Sequence, residues 1–462
     1  MPYIEPRPWL RAFAWLGFLA PFFFVTYLGS LEIVSWREHV PTLVFDWEKH
    51  IPFLAWTIVP YWSIDFLYGL AIFLCATRFE LNRLGMRLLS AQVIAVMIFL
   101  IAPLQLTSTI PAETGIFAPL FAALAEVVSK PYNLAPSLHI ALLIILWVHY
   151  ARHIPIRWHV PMHIWAALIG ISVLTTNQHH FFDVPTGAAL GFFCLWLWPE
   201  RGPSPLKSAQ VARDTRRWKL AAIYSVGAGA CLTVAVMIGG WFLWLLWPAL
   251  SLILVALAYA LFGAALFQKT EEGTLSIASR WLLWPYLMAA RINAALWAQR
   301  IPEPVEIAPR LFLGRVPSLV YPDLRVIDVS AELQAPARAD AWVAYPMLDL
   351  VAPSPRDLCA AAKITDDTYR GTQTDVRICC ALGLSRSAAT AAVWLATYGG
   401  MSSVQAAIDH LRTMRPETVL SRTQIKAIET ASHLLHPPDR VSLTLSERDG
   451  AAPHSRSRPV LG

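Results

Sequence analysis

Ile378–Ala388 reads ICCALGLSRSA, and the fold of the C-terminal third turns on it. A β-rich run, DVRICC at Asp375–Cys380, leads into it, and a helical run begins near Ser387. A loop between a strand and a helix N-terminus turns successive backbone N–H groups inward, which makes a nest for an anion such as phosphate. A thiol held there, at Cys380, ionises more readily than a free cysteine, whose pKa is about 8.5. Arg386 presents a planar fork that grips two oxygens of such an anion. Gly383 lets the chain curl with no side chain in the way. These residue types in this order suit attack of a thiolate on phosphorus through a phosphocysteine.

Working outward, the composition from about Pro302 is that of a soluble α/β domain. LFLG, LRVIDV, AWVAYPML and DVRICC read as short buried strands. Ser387–Tyr398, Ser403–Met414 and Ser421–Leu435 read as helices. The polar stretch from Pro437 reads as disordered. The region Pro304–Leu435 resembles the cysteine-dependent phosphatases with a Cys-x5-Arg-Ser/Thr signature, specifically the dual-specificity branch. IAPRLFLG resembles that family's opening strand, and MRPETVLS its late Arg-Pro segment. The resemblance implies Cys380 as nucleophile and Arg386 as phosphate holder. It implies Asp349, in PMLD, as general acid and Ser387 as the hydroxyl that helps hydrolyse the intermediate. The family normally places His before the nucleophile; here Cys379 stands there, which removes a group that fixes the loop and the thiolate.

The rest of the chain is oily. Of 462 residues, 56% are hydrophobic and only 15% charged, too apolar for a soluble enzyme. The 20 Trp suit bilayer interfaces. The net charge of +6 fits membrane topology rather than nucleic-acid binding. The six cysteines form no disulfide framework and no CxxC metal knuckle. Apolar runs predict spans at about Ala12–Leu31, Ile51–Thr77, Leu88–Leu106, Leu138–Tyr150, Val160–Thr176, Phe182–Trp198, Leu220–Gly240 and Trp241–Phe267. With a cytoplasmic N-terminus, the inner segments hold thirteen Lys and Arg and the outer loops three: Arg37, Lys49 and Lys130. That asymmetry orients the bundle and puts everything after Phe267 in the cytoplasm. Ser279–Arg300 mixes Trp, Leu and Arg and reads as an amphipathic interfacial helix.

Two histidine segments fall on the outer face in this topology. KPYNLAPSLHIALL puts His139 at the outer end of the fourth span, and TTNQHHFFDVPTG puts His179, His180 and Asp183 between the fifth and sixth. Ionisable groups at that depth point to function. One histidine can attack phosphorus while a carboxylate orients its other nitrogen, and a second can protonate the departing alkoxide. Ser137 suits a helix cap whose N-terminus meets phosphate oxygens. Here the chain resembles the type-2 phosphatidic acid phosphatase superfamily. Pro136, Ser137 and His139 match its Pro-Ser-x-His motif; His179 and Asp183 match its His-x3-Asp motif. Leu138 and the NLAPSLH context resemble the inositolphosphorylceramide synthase-like branch. The resemblance implies His179 as nucleophile, Asp183 as its partner, His139 as general acid, and His180 as a bystander. The Lys-x6-Arg-Pro motif is not recognisable, and Val173 stands where a phosphate-binding Arg precedes the second motif. Lys130 is the nearby outer-face cation assigned in its place. Asp65, in PYWSID, either lines the site or pairs with a polar neighbour.

The expected architecture is a polytopic α-helical membrane bundle of about eight spans followed by a soluble α/β cysteine-phosphatase domain. The expected organisation is 1–200, a histidine phosphatase-like membrane domain; 201–267, two further spans; 268–301, an interfacial linker; 302–436, the dual-specificity-like domain; and 437–462, the tail. The resemblances imply a fusion in a bacterial inner membrane that hydrolyses phosphate monoesters of lipids at two centres. The alternatives are headgroup transfer in the membrane half, and either a protein phosphatase or a phosphate-sensing domain in the cytoplasm. The expected partners are a phospholipid or other lipid phosphate and the bilayer, with no nucleic acid, no cofactor and no metal.

Overall fold

A computed structural model describes residues 6–111, 114–127, 130, 132–301, 304–319, 322–336 and 341–435. The expected tail lies outside them. The chain folds as two compact units, residues 1–296 with 331–335, and 297–330 with 336–462.

The first unit is helical: α1 Trp9–Ser35, α2 Ile58–Leu74, α3 Arg78–Ile101, α4 Ala118–Val127, α5 Leu138–His153, α6 His159–Thr175, α7 Asp183–Leu197, α8 Thr215–Ile238, α9 Leu246–Leu257, α10 Ile277–Leu282 and α11 Trp284–Ala298. Among the described residues, six segments are long and apolar enough to cross a membrane: Trp9–Ser35, Ala55–Leu74, Arg78–Ile101, Ile156–Thr175, Thr215–Ile238 and Gly240–Phe267. The apolar helices α5 and α7 are shorter, with 16 and 15 residues. Val25, Phe66, Ile101, Val226 and Met237 all face outward. A girdle of bare apolar side chains is unfavourable in water and ordinary against lipid.

At the centre of this unit α5 and α7 lie backbone to backbone. Gly187 and Gly191, four residues apart on α7, face α5. A β-carbon at Gly187 would stand 2.4 Å from the Ser137 carbonyl oxygen, and one at Gly191 would stand 2.8 Å from that of Ala141. Small residues at this spacing let apolar helices approach closely where no hydrophobic effect drives them together. The contact places the N-termini of both helices side by side, and the Ser137 N–H donates to the Asp183 carbonyl at 3.1 Å.

The second unit carries a five-stranded sheet in the order β1-β2-β5-β3-β4, with β1 Val305–Ala308, β2 Leu311–Arg315, β3 Leu324–Ser330, β4 Trp342–Met347 and β5 Asp375–Cys380. Only the β1–β2 pair is antiparallel. The expected single opening strand in IAPRLFLG is therefore a hairpin, turned at Pro309–Arg310, where Arg310 takes φ +60°. Proline lacks the N–H that a ladder needs, so the strand breaks there. The helices are α12 Pro355–Gly371, α13 Arg386–Thr397, α14 Val404–Met414 and α15 Arg422–Leu435. Ala388, Ala389, Ala391 and Ala392 are fully buried, so α13 packs closely among the sheet and the other helices.

Gly187→Val is expected to destabilise the helical unit by about 1–3 kcal/mol through overpacking. Gly229→Val, at a position with nothing within 4 Å of the added carbon, is expected to leave the detergent melting temperature unchanged. Thermal melts of both variants check this.

Candidate active sites

In the helical unit the decisive pieces sit where α5 and α7 begin. Ser137 caps α5, its Oγ accepting the Ile140 N–H at 3.3 Å. The loop from Thr176 to Phe182 is anchored by the carbonyl of buried Val173, which accepts the N–H groups of Gln178 and His179. Val173 thus contributes a backbone anchor rather than a side chain. His179 Nδ1 lies 3.1 Å from Asp183 Oδ2, and that oxygen also takes the His180 N–H at 2.9 Å. A carboxylate can only accept, so Nδ1 bears a proton and donates it to Asp183, which leaves Nε2 as the nitrogen turned away from the carboxylate. His179 Nε2 lies 3.2 Å from Ser137 Oγ.

His139 stacks on Tyr61 with ring centroids 4.3 Å apart and 19° between planes. Its Nε2 is buried with no hydrogen-bond partner among the described residues. His139 and His179 line one cavity of about 390 Å³, together with Tyr61, Asp65 and Tyr68 and an apolar wall from α1. Of the two alternatives for Asp65, the fold places it in that lining. Lys130 is not brought there: its ammonium bonds Glu32 and the Ser35 hydroxyl. Among the described residues, no Lys or Arg lines this cavity.

The sequence reading missed three supports, each contributed from far along the chain. Tyr61 holds the His139 ring. Glu48 Oε2 accepts from Phe181 N–H at 2.9 Å and faces His180 Nδ1 at 3.2 Å. Thr107 meets the other His180 nitrogen. His180 thus pins the loop that carries His179. Glu48 beside the basic pair Lys49–His50 carries no pattern that would single it out.

In the second unit Cys380 ends β5 and is buried. Its Sγ lies 3.2 Å from Ser387 Oγ, in the first turn of α13. Arg386, almost wholly buried, donates to the Met347 carbonyl at 3.0 Å and pairs with Asp349 Oδ1 at 3.2 Å. Four residues named from the sequence, Cys380, Arg386, Ser387 and Asp349, are therefore linked around one loop. Cys379 and Cys380 are neighbours on a strand, so their side chains leave opposite faces of the sheet. Cys379 stands between Gly314 of β2 and Asp328 of β3.

The loop itself is held from behind. Leu382 O accepts from Arg415 Nη2 at 3.4 Å, Leu384 O accepts from Val419 N–H at 2.9 Å, and Gln424 Nε2 donates to Ser385 Oγ at 2.7 Å. Planar trans peptides put the N–H groups of Gly383 and Ser385 on the side opposite those carbonyls. Burial pulls the Arg415 pKa below its ordinary value, while Glu417 and Cys380 act the other way. Gly383 takes φ +73°, and a β-carbon there would lie 2.3 Å from the Gly314 carbonyl carbon. Arg415 and Gln424 are further supports the sequence did not single out, although Arg415 lies in the MRPETVLS segment.

No family model matches the chain, and no curated protein matches it. Among solved structures it is similar to Tk-PTP in the active form, at 24% identity, covering 29% of this chain and 97% of that one, with a TM-score of 0.26. It is similar to human DUSP28 at 20% identity, covering 29% and 98%, with a TM-score of 0.26. It is similar to PTPMT1 at 16% identity, covering 29% and 96%, with a TM-score of 0.24.

Gly383→Ala combines a left-handed backbone with a collision at Gly314. It is expected to weaken tungstate binding by the full-length protein by about tenfold or more while unit 2 still melts cooperatively. Titration calorimetry with tungstate, beside a melt, measures both.

Proposed function

We propose that this protein is a membrane phosphatase that hydrolyses phosphate monoesters of lipids at two chemically different centres. The observation that carries the reading is the convergence of Cys380, Ser387, Arg386 and Asp349 on one glycine-curled loop at a helix N-terminus. At that centre Sγ attacks phosphorus and the P–O bond to the alcohol breaks. Arg386 exchanges Asp349 for phosphate oxygens; the freed Asp349 carboxylate, having lost its guanidinium partner, takes a proton from water and passes it to the leaving oxygen. Ser387 bonds the sulfur as water then cleaves the phosphocysteine.

In the helical unit, His179 Nε2 attacks phosphorus, Asp183 stabilises the resulting imidazolium, and His139 protonates the departing alkoxide. Water releases the phosphate from nitrogen. The apolar wall of the cavity supports a lipid as the substrate class. The Lys and Arg asymmetry of the loops supports placing the histidine centre on the outer face of a bacterial inner membrane and the cysteine domain in the cytoplasm.

One observation favours a second reading for the histidine centre. Its cavity lining has Asp65 and no Lys or Arg among the described residues, which suits a singly charged phosphodiester better than a doubly charged monoester. The phosphoryl headgroup would then pass from His179 to a lipid alcohol instead of water.

The test uses full-length protein in detergent with phosphatidic acid micelles and a soluble aryl phosphate. Cys380→Ser is expected to abolish turnover of the substrate handled by the cysteine centre, and His179→Ala that of the other. His139→Gln is expected to lower kcat at the histidine centre by about 10²–10⁴-fold. Phosphate release at wild-type rates from the Cys380→Ser, His179→Ala double variant on both substrates would remove the proposal. Label from a phosphodiester lipid appearing on an added lipid alcohol would establish transfer.

A further inference from the structure

At the far end of α5 from Ser137, a second histidine cluster is left unused by either centre. HYARH, His149–His153, puts two histidines four residues apart, one turn along one helix face, with ring centroids 4.2 Å apart. Glu80, in the first turn of α3, points its Oε1 at His153 Nε2 across 2.8 Å. One ligand atom from each of Glu80, His149 and His153 lies within 4.8 Å of the other two.

We infer that Glu80, His149 and His153 form a binding site for a divalent transition metal of the zinc class, which clasps the start of α3 to the end of α5. Three features beyond proximity support it. His149 Nε2 donates to the Ala71 carbonyl at 3.1 Å, because a carbonyl can only accept; the neutral ring therefore keeps its lone pair on Nδ1. His153 Nδ1 likewise donates to the His149 carbonyl at 2.8 Å. Histidine ligands typically commit the remote nitrogen to a carbonyl or carboxylate in this way, which fixes the tautomer and the ring direction.

The third feature is the other side of His153. Its two nitrogens face two different groups, the His149 carbonyl at Nδ1 and the Glu80 carboxylate at Nε2, so a metal at Nε2 would find its carboxylate ligand already beside it. A metal bound to both Nε2 and Oε1, seated to one side of the line joining them, would neutralise the carboxylate. Two imidazoles and a carboxylate are the donor set that zinc and cobalt accept at about 2.0–2.2 Å, with a fourth position open to water. The nearby cations Arg87 and Arg152 do not occupy the carboxylate of Glu80: both are paired with Glu200, at 3.8 and 2.9 Å. His149 is buried, while Glu80 and His153 keep side-chain exposures of 22% and 17%, which leaves a route in for an ion.

The test uses tag-free full-length protein in detergent, stripped with a chelator and then titrated with Zn²⁺ against a chromophoric competitor, and separately with Co²⁺ followed by visible absorption. Wild type is expected to bind one equivalent and to melt at a higher temperature with metal. Glu80→Gln and His153→Gln, which preserve size and polarity, are expected to weaken binding by about 10–100-fold or more and to lose the metal-dependent melting shift. His179→Ala, at the candidate nucleophile, is expected to bind as wild type does. Stoichiometric binding that survives in both Gln variants, or that disappears in His179→Ala alone, would overturn the inference, as would wild type binding no metal.

Discussion

The histidine centre depends on two helices approaching more closely than side chains usually allow. Gly187 and Gly191 remove the β-carbons that would collide with the α5 backbone. Because α5 starts at Leu138 and α7 at Asp183, the contact brings the two helix starts together. The Ser137 hydroxyl, the His179 ring and the Asp183 carboxylate then fall within hydrogen-bonding reach of one another in sequence. Helix starts also carry partial positive charge from unpaired N–H groups. The start of α5, whose Leu138 and His139 line the cavity, gives an anion some of the countercharge that the side chains there otherwise lack.

The same device recurs in the second unit with different elements. Gly383 lies against Gly314, and no side chain separates the loop from the strand beside it. The close contact fixes the loop from one side, while Arg415, Val419 and Gln424 fix it from another. Cys380 and Arg386 are thereby held by a backbone that has little room to relax. Both centres thus place short polar side chains on main-chain contacts between regular elements, which favours geometric precision.

The legibility of this chain followed the strength of local signals. The strands around LRVIDV and DVRICC and the helices from Arg386 onward were readable because apolar residues recur with the right period. The helix Pro355–Gly371 was not read. Its buried face recurs at helical spacing through Leu358, Ala361, Ala362 and Thr365, but mostly in small or polar side chains; its other announcement is a cap, Ser354 bonding the Asp357 N–H just ahead of Pro355. The hairpin at Pro309–Arg310 was hidden because two short strands around a proline look like one. Of the site residues, those within a motif were readable from spacing. Tyr61, Glu48 and Thr107 were not, because nothing local marks a residue whose role is to meet a loop more than seventy positions away. Lys130 was chosen by position along the chain, and its partner Glu32, 98 residues earlier, could be found only in three dimensions.

The pair between Arg386 and Asp349 has a consequence for what can occupy the cysteine loop. An arriving anion meets a guanidinium that already has a counter-ion built into the same chain. A halide or a carboxylate offers little more than Asp349 does and exchanges on nearly even terms. A tetrahedral dianion offers two oxygens to the fork and more charge, and it also meets the N–H groups of the loop. Any occupant of the fork would therefore have to displace the resident carboxylate, which sets a threshold that weak anions would not pass.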